Sequence, residues 1–428
     1  MMRKLIQAVG RRVHQLGGRN SQSLGASKGR GNLLLQQRVG KLFEPLQPKT
    51  LRWGIAPVTL MAEDFVNALS VLPPREHRIT ACVDAYRSQS LEFGDRHRVP
   101  NVFTSFEQLA KCPDVDAVYI SPSNGMHCEL CHLMLNHDKH VLCEQPLAMT
   151  EQQVMGLMDK AQARGLFLME GIWSRCTPAY RMLRDHLKRD QLGRVYHVDC
   201  SLGWPISKDL VDYTGYAGVT RDLAPYALQF ALWVYRAVPQ SIRVRGKLNR
   251  QGVDVANTID VYFSDNRTAR LTLSTQDTLS NEVQIFGERG NARLNNLWCP
   301  DLLVLQNVDY SFTLPQSKEP TTYHNRIGLC YEAQEVRNCI LAGRTQSCLF
   351  SHNESRLLSN LTNQVHDMLG EQWEKVLALR DQQKQQQKVQ QQKLKELQKQ
   401  KEKKQIEQQQ KKQKQLLQQE MQQQVQNN

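Results

Sequence analysis

Asp116-Ala-Val-Tyr-Ile-Ser-Pro-Ser-Asn124-Gly-Met-His127, read together with Cys143-Glu144-Gln145-Pro146, decides how this chain folds. The apolar run after Asp116 predicts a short strand, and Ser-Pro-Ser-Asn-Gly predicts a polar turn. A helix over Glu129 to His137 and a second strand, His140-Val-Leu-Cys143, complete a β-α-β unit. Strands joined by a helical crossover are parallel, and the turns at their carboxyl ends are where such sheets meet ligands. Upstream, Leu51-Arg-Trp-Gly-Ile-Ala56 predicts the first strand, with a helix over about Ala62 to Leu72. Arg78-Ile-Thr-Ala-Cys-Val83 predicts the next strand, ending on Asp84, and the alternation continues to about Leu168. Residues 49–170 therefore form a doubly wound parallel sheet of the dinucleotide-binding kind.

Past Trp173 the rhythm changes. Strands are predicted over Val195–Leu202, Ser241–Leu248, Thr258–Phe263, Thr268–Ser274 and Glu282–Phe286. Strands in such close succession pair antiparallel, so residues 171–380 form an α+β domain with a large, mostly antiparallel sheet of about six strands. Helices return over Tyr331–Leu341 and from Ser351, where Ser351-x-x-Glu354 is a capping box, and the body is expected to close near Leu379. Residues 381–428 are a Gln/Lys low-complexity tail. Its apolar residues, Val389, Leu394, Leu397, Ile406, Leu416 and Leu417, are too sparse for heptads, which favours a solvated, partly helical or disordered tail over a coiled coil. Nothing in that tail names a partner.

The net charge of +13 sits at the two ends: about +9 in residues 1–50 and +6 in residues 381–428, with a near-neutral middle of about −2. The basic ends lack the interleaved aromatics on which bases stack, which argues against a nucleic-acid ligand. Residues 1–48 carry Arg3, Lys4, Arg11 and Arg12 opposite Leu5, Ile6, Val9, Val13 and Leu16, with no acid before Glu44. That is the pattern of an amphipathic mitochondrial targeting segment, the alternative being a basic tail on a cytoplasmic protein. No apolar run is long enough to span a membrane. The eleven cysteines have no framework spacing. Cys128, Cys131 and His132 share a helix face, but no second ligand pair follows at zinc spacing, so the expectation is no metal and buried thiols whose redox role is open.

The motif of the first lines resembles the glucose-fructose oxidoreductase/inositol dehydrogenase (Gfo/Idh/MocA) family, in which Glu-Lys-Pro stands where this chain has Glu144-Gln145-Pro146. Leu166-Phe-Leu-Met-Glu170-Gly-Ile-Trp173-Ser-Arg175, Leu297-Trp298-Cys299-Pro300 and Tyr331-Glu332-Ala333 extend the resemblance over about Leu51 to Leu369. It is nearest to the branch that oxidises cyclic diols and D-xylose. The resemblance implies a Rossmann domain, NAD or NADP as cofactor, a small diol or sugar substrate, and a homodimer built on the second sheet.

The implied site departs from the family in two places. The family's Gly-x-Gly-x-x-Gly/Ala turn reads Pro57-Val58-Thr59-Leu60-Met61-Ala62 here. Pro57 removes an N–H donor, and Thr59 puts a branched side chain where the backbone should approach phosphate, so weakened cofactor binding is expected. Asp84 stands where an acid would accept the adenosine ribose hydroxyl and repel a 2′-phosphate, unless it is a turn aspartate; the NADP preference of relatives keeps both cofactors open. Ser121, Asn124, His127 and Glu144 match the nicotinamide side of the crevice.

Gln145 replaces the lysine whose charge steadies the reacting oxygen. Losing such help typically costs about 10²- to 10⁴-fold, roughly 3–5 kcal/mol of barrier. Asp222-Leu-Ala-Pro-Tyr226 matches the second active-site motif, with Asp222 as a helix cap and Tyr226 as the acid/base or, without a cation beside it, an ordinary half-buried aromatic. Trp173, Arg175 and Trp298 match substrate-pocket positions or are packing residues. Two functions remain open: a dehydrogenase of reduced activity, or a pseudoenzyme that keeps the fold to bind a ligand or partner.

Overall fold

The computed structural model describes residues 49–205 and 218–426. The expected targeting segment, 1–48, lies outside the described residues. β1 (Leu51–Ala56), α1 (Leu60–Leu69), β2 (His77–Val83), α2 (Arg87–His97), β3 (Asn101–Phe103), α3 (Phe106–Lys111), β4 (Ala117–Ile120), α4 (His127–Asn136), β5 (His140–Glu144), α5 (Glu151–Ala163) and β6 (Leu168–Gly171) follow in order. The six strands are all parallel, in the order β3-β2-β1-β4-β5-β6. The order reverses between β1 and β4, and in such sheets the ligand crevice lies at that switch point, outside the strands' carboxyl ends.

The sheet is buried on both faces, which is why its strands are near-continuous apolar runs: all four residues of β4 are buried. Phe65 on α1 stacks on Tyr119 of β4 at 3.9 Å between ring centroids and meets Trp53 of β1 edge-on at 5.2 Å. Helix α1 starts at Leu60, two residues earlier than predicted, because the Thr59 side chain caps it. Helix α4 starts at His127, directly after a 3-10 turn over Asn124–Met126.

The second part comprises α6 (Pro178–Lys188), β7 (Val195–Gly203), α7 (Val219–Asp222), α8 (Ala224–Tyr235), β8 (Ser241–Leu248), β9 (Asp254–Tyr262), β10 (Thr268–Ser274), β11 (Val283–Gly287), β12 (Gly290–Leu294), β13 (Leu302–Leu305) and β14 (Val308–Ser311). The sheet has eight strands, in the order β14-β13-β12-β11-β7-β10-β9-β8. Every neighbouring pair is antiparallel except β7 with β10. The sheet is thus larger than the six strands expected. The three strands outside the five predicted ranges, β12, β13 and β14, are four or five residues long, and β13 and β14 are joined at Gln306 and Asn307, both at positive φ. Runs so short carry little alternation to read.

Helix α9 (Leu329–Leu341) returns the chain to the Rossmann side, and α10 runs from His352 to Gln426, continuing from the body into the Gln/Lys tail. Gln, Lys and Glu are all good helix formers, so nothing after Asp381 stops the helix. Its first turns pack on the body, where Asn360 reaches Glu151 of α5 at 2.7 Å and Gln372 donates to the Val244 carbonyl of β8 at 2.7 Å. From Glu374 to Lys388 every side chain is exposed. No helix among the described residues is long and apolar enough to cross a membrane.

Candidate functional site

At the carboxyl end of β1 the chain turns through Pro57 and Val58 into α1. The Thr59 hydroxyl accepts from the Ala62 N–H at 3.1 Å and lies 3.0 Å from the Ser121 hydroxyl at the end of β4. Thr59 and Ser121, both expected at the cofactor, thus bond to each other and to the helix N-terminus. One of the N–H groups a helix offers an anion is already taken, at Ala62. Pro57, after a cis peptide bond, contributes no donor. Asp84, at the end of β2, is buried and accepts from the Tyr86 N–H at 2.8 Å, the local turn that aspartates form with the backbone two residues on.

Across the crevice, His127 is buried with Nδ1 2.7 Å from the Pro146 carbonyl oxygen and Nε2 3.2 Å from that of Pro122. Burial lowers its pKa, so the ring is neutral, and one nitrogen donates to hold the turn after β4 against the turn after β5. Asn124 Nδ2 donates to Asp222 Oδ1 at 3.2 Å. Gln145 Nε2 donates to the Asp222 backbone carbonyl at 3.0 Å, while Gln145 Oε1 is buried with no partner among the described residues. Gln145 is therefore tied to the second motif through its backbone. Asp222 ends the one-turn helix α7 and does not cap α8, whose N-cap is Leu223 without a side-chain bond, contrary to the expected capping role. Burial raises the Asp222 carboxyl to about 6.

Tyr226, in the first turn of α8, is buried, and its hydroxyl accepts from Trp173 Nε1 at 2.8 Å. Burial, then the Glu144 charge, push its pKa above the ordinary tyrosine value, so the phenol keeps its proton. Glu144 accepts from the Tyr119 hydroxyl at 2.6 Å, and burial raises its pKa. Three residues that sequence reasoning did not assign complete this end. Tyr119 is one. Glu332 on α9 is fully buried with no partner for either oxygen among the described residues, and burial, then Glu144, raise its pKa well above the usual range. Arg326 places its guanidinium 5.9 Å from the centre of the Trp173 ring and 5.0 Å from that of Tyr323, and its charge opposes the upward shifts of Glu144 and Tyr226. Gly328 lets this turn lie against Trp173, since a Cβ there would come within 3.0 Å of the indole. Glu332 stood in the motif Tyr331-Glu332-Ala333; Arg326 stood in no motif.

The other two residues expected at the substrate divide. Trp298 meets Trp204 edge-on at 5.2 Å and donates to the His324 carbonyl at 3.2 Å. Arg175 is buried, donates to Gln229 Oε1 at 2.9 Å, pairs with Glu354 of α10, and lies over the rings of Trp233 and Phe350. Glu354 is partly exposed, and through it and Gln229 the guanidinium ties α8 to α10. Among the described residues no cluster of three or more His, Cys, Asp or Glu could hold a metal ion. Of the thiols expected on this helix face, Cys131 is buried and Cys128 half-buried, and burial raises the Cys128 thiol.

Comparison with known proteins agrees with this architecture. The oxidoreductase family with the NAD-binding Rossmann fold, GFO/IDH/MocA, matches residues 51–172, and its C-terminal domain matches residues 180–293. The chain belongs to the GFO/IDH/MocA family. Trans-1,2-dihydrobenzene-1,2-diol dehydrogenase of Sus scrofa is 35% identical over 325 residues, covering 75% of this chain and 97% of that protein. The Danio rerio enzyme of the same name is 32% identical over 325 residues, with the same coverage. Among solved structures, aldose-aldose oxidoreductase from Caulobacter crescentus superposes with a TM-score of 0.64 at 18% identity, covering 75% of this chain and 98% of that one. KijD10, a 3-ketoreductase from Actinomadura kijaniata solved with NADP and TDP-benzene, gives 0.63 at 21%, covering 74% and 97%. At such identity these two show the fold alone. This is a family of NAD(P)-dependent oxidoreductases with dihydrodiol dehydrogenase homologues. The chain keeps its β1-α1-β2 frame and crevice, but the phosphate turn holds no glycine and is internally bonded at Ala62.

Proposed function

We propose that the protein is a dehydrogenase-type member of this family, of the dihydrodiol and D-xylose kind, with weakened NAD(P) binding and reduced hydride transfer. The observation that carries the reading is the Thr59 hydroxyl on the Ala62 N–H and against Ser121. A pyrophosphate on α1 would displace that cap, which is worth about 0.5–2 kcal/mol, and would still meet side chains where the family has glycine. A bound dinucleotide supplies the hydride acceptor. What this chain supplies is Tyr226 to hold a substrate hydroxyl, Trp173 to orient Tyr226, and aromatic faces to exclude water.

A second reading, a pseudoenzyme that binds ligand without turnover, is favoured by Gln145. Its amide carries no charge and spends its donor on the Asp222 backbone, leaving Tyr226 without the neighbouring lysine that lowers a phenol's pKa. Titration of NADH and NADPH against the purified chain separates the two, with trans-dihydrodiols and D-xylose as trial substrates. Measurable turnover with weak cofactor affinity supports the first reading; binding of diol or sugar with no turnover supports the second. Micromolar cofactor affinity with brisk turnover contradicts both.

Homodimerisation through the second sheet and mitochondrial import directed by residues 1–48 belong to the same proposal. Sedimentation tests the first, where a monomer at micromolar concentration contradicts it. Localisation of a chain lacking residues 1–40 tests the second, where unchanged placement contradicts it.

A further inference from the structure

The reacting end of the crevice carries more polar groups than it satisfies. Gln145 Oε1, Arg326 Nη1 and both Glu332 oxygens are buried without hydrogen-bond partners among the described residues. An unmatched buried group costs roughly 1–3 kcal/mol, and more when charged, so a ligand that supplies the missing partner gains that amount on binding. Arg326 is the charged donor. It makes no ion pair among the described residues, although two carboxyl groups are close enough to affect the site.

The reason lies in those carboxyls. Glu332 is fully buried and raised towards its neutral form, and Glu144 is engaged by the Tyr119 hydroxyl. Neither supplies the bidentate partner that a guanidinium fork prefers. The guanidinium is nonetheless held in place between the Trp173 and Tyr323 rings. Trp173 in turn fixes Tyr226, whose hydroxyl accepts from the indole and so keeps its own proton to donate. A fixed guanidinium with an unpaired donor and a phenol O–H are thus linked through one indole.

We propose that Arg326 makes this end of the crevice a carboxylate site, so that the preferred ligand is a small hydroxy acid of the sugar-acid class. Its carboxylate takes the Arg326 fork, a hydroxyl accepts a hydrogen bond from the Tyr226 O–H, and a second hydroxyl donates to Gln145 Oε1. The cation that position 145 lacks is then supplied from the Arg326–Gly328 turn. This rests on the reading that Tyr226 and Trp173 mark the ligand site, and it names the ligand class.

Sodium D-xylonate and D-xylose share a carbon skeleton but differ in ring closure as well as in the carboxylate, so calorimetric titration of each into the full chain at low salt, with open-chain, uncharged xylitol as the control for ring closure, is the test. Xylonate is expected to bind at least about tenfold tighter, the ratio worth 1.4 kcal/mol. Arg326→Gln should bring xylonate down to the level of xylose, and Arg326→Lys should restore part of the preference, since a point charge replaces the fork. Equal affinity of the two compounds for the unaltered protein overturns the proposal even if the variants fail to fold. So does a preference that survives Arg326→Gln. Binding of xylose alone removes the carboxylate site and leaves the ligand-site reading standing; binding of neither compound removes both.

Discussion

The two ends of the crevice treat their polar groups in opposite ways. At the phosphate end Thr59, Ser121, the Ala62 N–H, Asp84 and the Tyr86 N–H bond among themselves. At the reacting end Gln145, Arg326 and Glu332 leave buried atoms unmatched. Burial without a partner is costly, so it persists where a ligand completes the set, whereas mutual satisfaction persists where no ligand is needed. On the proposed function, the self-satisfied half is the one with weakened cofactor binding and the other is the one that takes a ligand.

The variant Pro57→Gly/Thr59→Gly/Gln145→Lys breaks the contrast most strongly. NADH affinity should rise by tenfold or more, and turnover of a diol or sugar by about 10²- to 10⁴-fold, the usual worth of positioned acid–base help. Steady-state kinetics with titrated cofactor reads both; an unchanged cofactor affinity would sink the assignment of the phosphate turn.

Arg175 offers a control, because its partners Gln229 and Glu354 belong to the packing of α8 with α10. Arg175→Met should destabilise the chain by about 1–3 kcal/mol, the cost of the lost hydrogen bonds and packing, because Glu354 is partly exposed and keeps its bonds to Ser351, while leaving any ligand preference intact. Denaturant unfolding alongside the xylonate and xylose titrations checks this, and a lost preference in a folded variant would return Arg175 to the ligand site.

A pH experiment sharpens the contrast further. Glu170, buried on β6, accepts from the Leu147 N–H at 3.0 Å just beyond the Glu144-Gln145-Pro146 turn, and burial raises its pKa from 4.5 to about 7. A carboxyl raised on folding contributes stability that is whole below its unfolded value and is lost as pH rises through the folded value. Between pH 4.5 and 7 the parent should therefore lose stability that Glu170→Gln retains. Melting curves at several pH values should converge at the acid end and separate by a few degrees at neutrality; parallel curves would contradict the shift.

The smallest effect is at the cap itself. Thr59→Ala should lower stability by about 1 kcal/mol, through loss of the bond to the Ala62 N–H. The same substitution should raise NADH affinity, so stability and cofactor binding move in opposite directions. A variant that loses both would mean that Thr59 supports the cofactor.

The Rossmann half was legible in the sequence because β1, β4 and β5 are buried apolar runs followed by helices, whereas the three-residue β3 is only half-buried and carried no such signal. The order β3-β2-β1-β4-β5-β6 then follows from handed crossovers. Strands β12, β13 and β14 were not legible: each is four or five residues long, and pairing with neighbours holds them more than pattern does. The long helix was half legible, since its composition favours helix while its sparse apolar residues do not say what it would pack on.

Within the site, Tyr226, Trp173 and Gln145 lay in recognisable motifs. The hydrogen bond that joins the first two spans 53 residues of chain and could not be read. Arg326 was invisible because a lone arginine between Asn325 and Ile327 has no pattern; only the fold sets it over Trp173. Thr59 was read as an obstacle to phosphate, and its role as a helix cap with Ser121 as neighbour needed the meeting of β1, α1 and β4.

The most direct measurement is the NADH affinity of the unaltered chain beside that of Thr59→Gly, read by quenching of intrinsic tryptophan fluorescence. The expected result is weak binding by the parent and binding tighter by about tenfold in the variant, a gain of roughly 1.4 kcal/mol once the turn is opened. Micromolar binding by the parent that Thr59→Gly leaves unchanged would contradict the closed phosphate end.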